Sequence, residues 1–98
     1  MNSLNPILEE IFSLSLEVVE AVPPLIIVLF DRDGLLLAIR VAKDPITDEY
    51  DSEILAENGF PDGQGEFREP VVITVLDQEF GSFRFMVQDG KVKGPFLN

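Results

Sequence analysis

The residues best suited to chemistry in this chain are oxygen-bearing side chains set around two glycines. Asp62, Gln64 and Glu66 occupy alternate positions, with Gly63 and Gly65 between them. Calcium takes six to eight oxygen ligands from carboxylates, amides and carbonyls, and glycine lets the backbone turn around the ion. The spacing therefore predicts one wall of a calcium site.

Further acids could complete this site in three dimensions. Asp48, Asp51 and Glu53 precede the glycine-containing segment, and Asp31 with Asp33 could form a second, weaker site. The segment is similar to the opening half of an EF-hand loop, but no glutamate closes a loop of the required length. The alternative is that these acids form a solvated acidic surface.

Net charge is the strongest departure from an average domain. The 98 residues carry 18 acids and seven bases, a formal charge of −11. Residues 44–69 contain nine acids and one arginine, which places −8 in that region. Such a balance argues against nucleic acid and against an anionic membrane as partners. It is compatible with a basic protein partner.

Catalytic chemistry has little support in the composition. The chain has no cysteine and no histidine, so disulfides, thiolate metal sites and the commonest general base are absent. The five serines lack a histidine partner, and no glycine-rich phosphate loop is present. We therefore expect a protein that is not an enzyme.

One short segment before the middle of the chain has a phosphatase-like sequence. Residues 26–37, IIVLFDRDGLLL, resemble the first motif of the haloacid-dehalogenase phosphatases. That resemblance would make Asp31 a nucleophile and Asp33 an acid/base. However, a second apolar run follows Gly34, and 98 residues cannot supply that family's parallel sheet. A hairpin turn is the preferred interpretation.

The chain order predicts an α+β fold in a single domain, residues 1–98. A helix begins at Asn5 and Pro6, and Pro23 and Pro24 stop it. Residues 25–30 and 35–41 predict a hairpin at the centre of a sheet, with a helix or a partner on both faces. Residues 48–58 predict a second short helix, which Gly59 closes.

Three more strands are predicted at residues 71–76, 80–88 and 91–96. The predicted order is α-β-β-α-β-β-β, with both helices packed on a five-stranded antiparallel sheet. The first helix has an apolar stripe covering about half of its circumference, from Leu4 to Val22. It either lies deeply in its own core or also forms a homodimer contact.

By size, acidity and lack of cysteine, the chain resembles the small cyanobacterial calcium-binding proteins linked to heterocyst differentiation. The resemblance implies calcium bound without an EF-hand, for buffering or signalling. Calcium binding is therefore the leading functional prediction. The alternative is a non-enzymatic interaction module whose acidic face docks a basic partner. Since no long apolar run and no basic N-terminal start are present, we expect a cytoplasmic protein.

Overall fold

The computed structural model describes residues 5–58, 68–79 and 81–97. A single helix, α1 (Asn5–Glu17), precedes the strands in this part of the chain. The strands are β1 (Leu25–Asp31), β2 (Gly34–Lys43), β3 (Tyr50–Glu57), β4 (Val71–Asp77), β5 (Gly81–Gln88) and β6 (Lys91–Leu97). They form one antiparallel sheet in the order β3-β2-β1-β4-β5-β6.

The core lies between α1 and one face of this sheet. Alternate residues of β1 point to it, so Leu25, Ile27 and Leu29 are fully buried while Ile26 and Val28 are only partly buried. The same alternation buries residues of β4 and β5: Val71, Ile73, Val75, Phe83, Phe85 and Val87. From the helix, Ile11 is fully buried in this cluster.

The helix ends at Glu17, earlier than the apolar stripe predicts. Glu20 adopts a left-handed conformation, and the Ala21 N–H donates to the Ser15 carbonyl at 2.9 Å. This arrangement satisfies a carbonyl of the last turn, as helix C-caps do. Leu8 and Phe12 pack against the core, so much of the stripe is used within the chain. The homodimer through this helix stays a prediction.

The other face of the sheet carries apolar side chains that are half exposed. Phe30, Val72 and Leu76 have exposed fractions of 41%, 36% and 41%. No helix of the described residues covers this face. The sequence predicted that both faces of the hairpin are covered. Within the described residues, a helix covers one of these faces.

Both aspartate–glycine hairpin turns that the sequence predicts are present. β1 and β2 pair around Gly34, which has a φ of +118°, and β5 and β6 pair around Gly90, with a φ of +73°. Glycine adopts such positive φ values without a steric penalty. These turns bring consecutive strands together as neighbours.

The predicted second helix and the five-stranded sheet are wrong. Residues 50–57 form β3, which brings the number of strands in the sheet to six, and α1 is the one helix among the described residues. Two effects favour the strand. Repeated acids four residues apart, Glu49, Glu53 and Glu57, repel one another on a helix. In addition, β2 offers unpaired backbone groups that only a strand can pair.

Candidate interaction surface

Strand β3 forms one edge of the sheet. It pairs with β2, and no described strand lies on its other side. Seven of its eight residues are exposed, and Ala56 is half-buried. A free edge presents a row of unpaired N–H and C=O groups to any chain that can pair with them.

The ladder between β2 and β3 shows which backbone groups point outward. The Asp44 N–H donates to the Glu49 carbonyl at 2.7 Å, in line with the register that pairs Ala42 with Asp51. Antiparallel ladders alternate bonded and non-bonded pairs, so Asp51 and Glu53 direct their backbone groups toward β2. The backbone groups of Tyr50, Ser52 and Ile54 point to the free edge.

The two faces of β3 differ in chemistry. Ser52 and Ile54 pair with Val41 and Ile39, whose side chains are buried in the core, so they lie on the helix side of the sheet. Tyr50 alternates with them and contacts Phe12 of the helix. Tyr50 and Ile54 are exposed by 42% and 61%. Asp51 and Glu53 lie on the opposite face. The edge therefore has an apolar row on one face and an acidic row on the other.

The connection from β2 to β3 is held by local polar contacts. The Asp44 Oδ1 atom accepts the Ile46 N–H at 2.8 Å, and Asp48 adopts a left-handed conformation. Lys43 Nζ lies 3.0 Å from Asp48 Oδ1, and this hydrogen bond raises the pKa of the Lys43 ammonium above its ordinary value. Asp44 and Asp48 thus serve the turn that begins β3.

A groove of about 380 Å³ lies beside β3, between the strand and α1. Its apolar lining combines helix and strand side chains: Leu8, Phe12, Ile27, Ile39, Val41 and Tyr50. The rings of Phe12 and Tyr50 meet edge to face, with centroids 4.9 Å apart. Glu9, Asp51 and Ser52 complete the lining. Because Asp51 directs its side chain to the other face, Glu9 is the carboxylate on this side.

Asp31 and Asp33, the predicted second calcium site, lie at the hairpin turn between β1 and β2. Asp31 Oδ1 accepts the Asp33 N–H at 2.8 Å, and Asp31 Oδ2 accepts the Arg68 N–H at 3.2 Å. Arg68 Nε lies 3.7 Å from Asp33 Oδ2. These contacts support the turn, and calcium binding at this pair stays a prediction.

The described residues of the predicted main calcium site lie partly in a turn and partly on β3. Asp48 lies in the turn before β3, and Asp51 and Glu53 lie on the strand. Within residues 5–58, 68–79 and 81–97, no group of three acids is placed to hold a metal ion. Asp62, Gln64 and Glu66 fall outside the described residues. Calcium binding stays a prediction.

Comparisons with known proteins add no family to this description. A scan against protein-family models, a search of curated proteins and a search of solved structures each find no match to this chain. In addition, no helix in the described part of the chain is long and apolar enough to cross a membrane. Any functional proposal therefore depends on the surface itself.

Sequence reasoning missed the edge strand, although a signal for it was present. Tyr50, Ser52 and Ile54 alternate with Asp51 and Glu53, which is the period of a half-buried strand. Leu55 follows Ile54 directly and breaks the alternation. The structure explains this, because the β2–β3 register shifts at that point and leaves Leu55 without a partner residue.

Proposed function

We propose that this chain is a non-enzymatic protein-interaction module that binds an extended basic segment as an additional strand beside β3. The observation that supports it best is the free edge of β3, with its outward backbone groups and two chemically different faces. Strand addition uses main-chain hydrogen bonds for affinity and alternate side chains for specificity.

The edge lacks several of the devices that prevent strand addition, although its register with β2 shifts once, at Leu55. Natural edges are blocked by proline, by lysine or by very short strands. Residues 50–57 contain no proline and no lysine, and the strand is eight residues long. Its backbone is therefore open to a partner along most of its length.

The side chains of β3 define the chemistry of that partner. An added strand places its alternate residues beside Tyr50 and Ile54 on one face, and beside Asp51 and Glu53 on the other. The first set should be apolar and the second set lysine or arginine. The formal charge of −11 attracts such a segment from a distance and raises its association rate.

The test uses the peptide Lys-Val-Lys-Val-Lys-Val-Lys-amide with fluorescein on its N-terminus, titrated by anisotropy at about 0.15 M sodium chloride, where the Debye length is ~8 Å. The variant Ser52→Pro removes an outward N–H and should leave the bonds to β2 intact. We expect it to weaken binding by about tenfold or more, equivalent to about 1.4 kcal/mol. Ser52→Ala retains the N–H and should bind like the wild type.

Two controls separate strand addition from simple charge attraction. A peptide of the same composition with its lysines and valines in separate blocks should bind much more weakly. A peptide N-methylated on its β3-facing amides should also lose binding, and this result does not depend on the folding of a variant. Equal binding of all these peptides, or of Ser52→Pro and Ser52→Ala, would contradict the proposal.

A further inference from the structure

The groove between α1 and β3 is lined in part by the edge strand, beside which the added strand would lie. Ser52 is the smallest side chain on the helix side of β3, between the exposed side chains of Tyr50 and Ile54. It lines the groove together with Tyr50. A partner residue opposite Ser52 therefore faces an opening in the wall, whereas its neighbours on that face meet larger side chains.

The length of a partner side chain decides whether it can enter the groove past Ser52. Neighbouring strands lie about 4.8 Å apart, so an added strand stands one spacing beyond β3 and two beyond β2. The floor of the groove comes from Ile39 and Val41 on β2 and Ile27 on β1. A short branched side chain stays above Ser52, and a long unbranched one extends past it into the groove.

The lining favours a side chain that is apolar along its length and positive at its end. The apolar walls suit methylene groups, and Glu9 is the carboxylate of the groove lining on this side of the sheet. Phe12 and Tyr50 provide aromatic rings, on which a planar guanidinium stacks more readily than an ammonium. Lys43 Nζ already lies 5.8 Å from the Tyr50 ring centroid, and its charge is offset by Asp48.

We infer that this groove binds an arginine side chain of the added strand, inserted over Ser52 with its guanidinium toward Glu9. The inference rests on the proposed strand addition and names the anchor residue of the partner. In this arrangement β3 pairs with the partner backbone, and the groove selects which segment binds.

The experiment compares peptides that differ in the central residue opposite Ser52. The parent peptide has Val there, and the two test peptides carry Arg or Met, which are both unbranched along their length but differ in charge. On the wild-type protein, we expect the Arg peptide to bind about fivefold or more tighter than the Met peptide. Glu9→Gln should remove most of that difference. Glu10→Gln, which removes the same charge from the next exposed helix position outside the groove, should retain it.

A second variant tests the route into the groove. Ser52→Leu fills the opening and should remove the advantage of Arg over Val. Met binding as tightly as Arg, or equal effects of Glu9→Gln and Glu10→Gln, would overturn the arginine assignment alone. Failure of every alternating peptide to bind would overturn the strand addition and the anchor together.

Discussion

The two edges of the sheet are built differently. β6 contains Pro95, and its register with β5 shifts between Arg84 and Met86. Lys91 and Lys93 lie on it, and α1 packs against it. These are features by which natural edge strands prevent pairing with another chain. β3 has neither proline nor lysine, whereas its register with β2 also shifts once, between Ala38 and Ile39, and Tyr50 contacts Phe12 of the helix.

The difference teaches that edge protection in this fold is selective. A chain that needed only to avoid aggregation would block both edges, because either one can template another strand. Here the blocked edge is basic and the open edge is acidic. The open edge is therefore the one at which a partner of opposite charge is expected.

The largest expected effect comes from the core, which we compare with the edge strand β3. Phe85 on β5 is 1% exposed and meets Phe83 with ring centroids 5.9 Å apart. Phe85→Ala should lower the free energy of unfolding by about 3–5 kcal/mol. Ile54→Ala on β3 should lower it by less than about 1 kcal/mol, since Ile54 is exposed. Urea unfolding of both variants checks this, and equal losses would show that β3 is part of the core.

Two proline substitutions in β3 compare a backbone N–H that points to β2 with one that points to the open edge. Glu53→Pro removes an N–H that points to β2 and should cost about 2–3 kcal/mol of unfolding free energy. Ser52→Pro removes an outward N–H and should cost less than about 1 kcal/mol. Thermal unfolding of the pair measures the difference. The reverse order of stabilities would mean that the assigned direction of the backbone groups is wrong.

A smaller effect is expected from two glycines, Gly90 in the turn before β6 and Gly94 in the middle of the strand. A Cβ at Gly94 would lie 3.0 Å from the Arg84 carbonyl oxygen and 3.0 Å from Phe85 Cδ1. A Cβ at Gly90 would have no atom within 4 Å. Both glycines have positive φ, so alanine is strained at either position. Gly94→Ala should therefore cost about 1–3 kcal/mol more than Gly90→Ala. Similar unfolding midpoints for the two variants would contradict this close packing of β6.

The smallest predicted effect concerns the turn that begins β3. The hydrogen bond from Lys43 to Asp48 raises the pKa of Lys43 in the folded state above 10.5, so its stabilising contribution is complete below that pH. It is lost as the pH rises through the raised pKa. Asp48→Asn keeps a residue that tolerates the left-handed conformation but removes the charge. The difference in melting temperature between wild type and this variant should be small at pH 8 and smaller still at pH 11; an increase would reverse the assigned sign.

The sequence predicted the local features with clear physical signals. The hairpin turns at Gly34 and Gly90 follow from aspartate–glycine pairs between apolar runs, and both are present. Alternation in residues 80–87 correctly placed Phe83 and Phe85 on one face. In contrast, the end of α1 has no glycine to mark it, because Glu20 takes the left-handed position.

The open edge could not be predicted in the same way. The adjacent apolar residues Ile54 and Leu55 gave residues 48–58 a helical appearance, and only the register shift against β2 accounts for them. Which strand becomes an edge depends on pairing between distant segments, such as β1 with β4, and local periodicity does not report that pairing. The acidity of the region was visible in sequence, but its division between the two faces of a strand was not.

Amide hydrogen exchange, followed by NMR on the labelled protein with and without the alternating Arg-centred peptide, tests the central claim most directly. In the free protein, the outward amides of Ser52 and Ile54 should exchange faster than those of Asp51 and Glu53, which bond to β2. With saturating peptide, Ser52 and Ile54 should gain protection of about tenfold or more, and the amides of β6 should stay unchanged. An unchanged rate at Ser52 and Ile54, or equal protection along β6, would contradict the addition of a strand at the open edge.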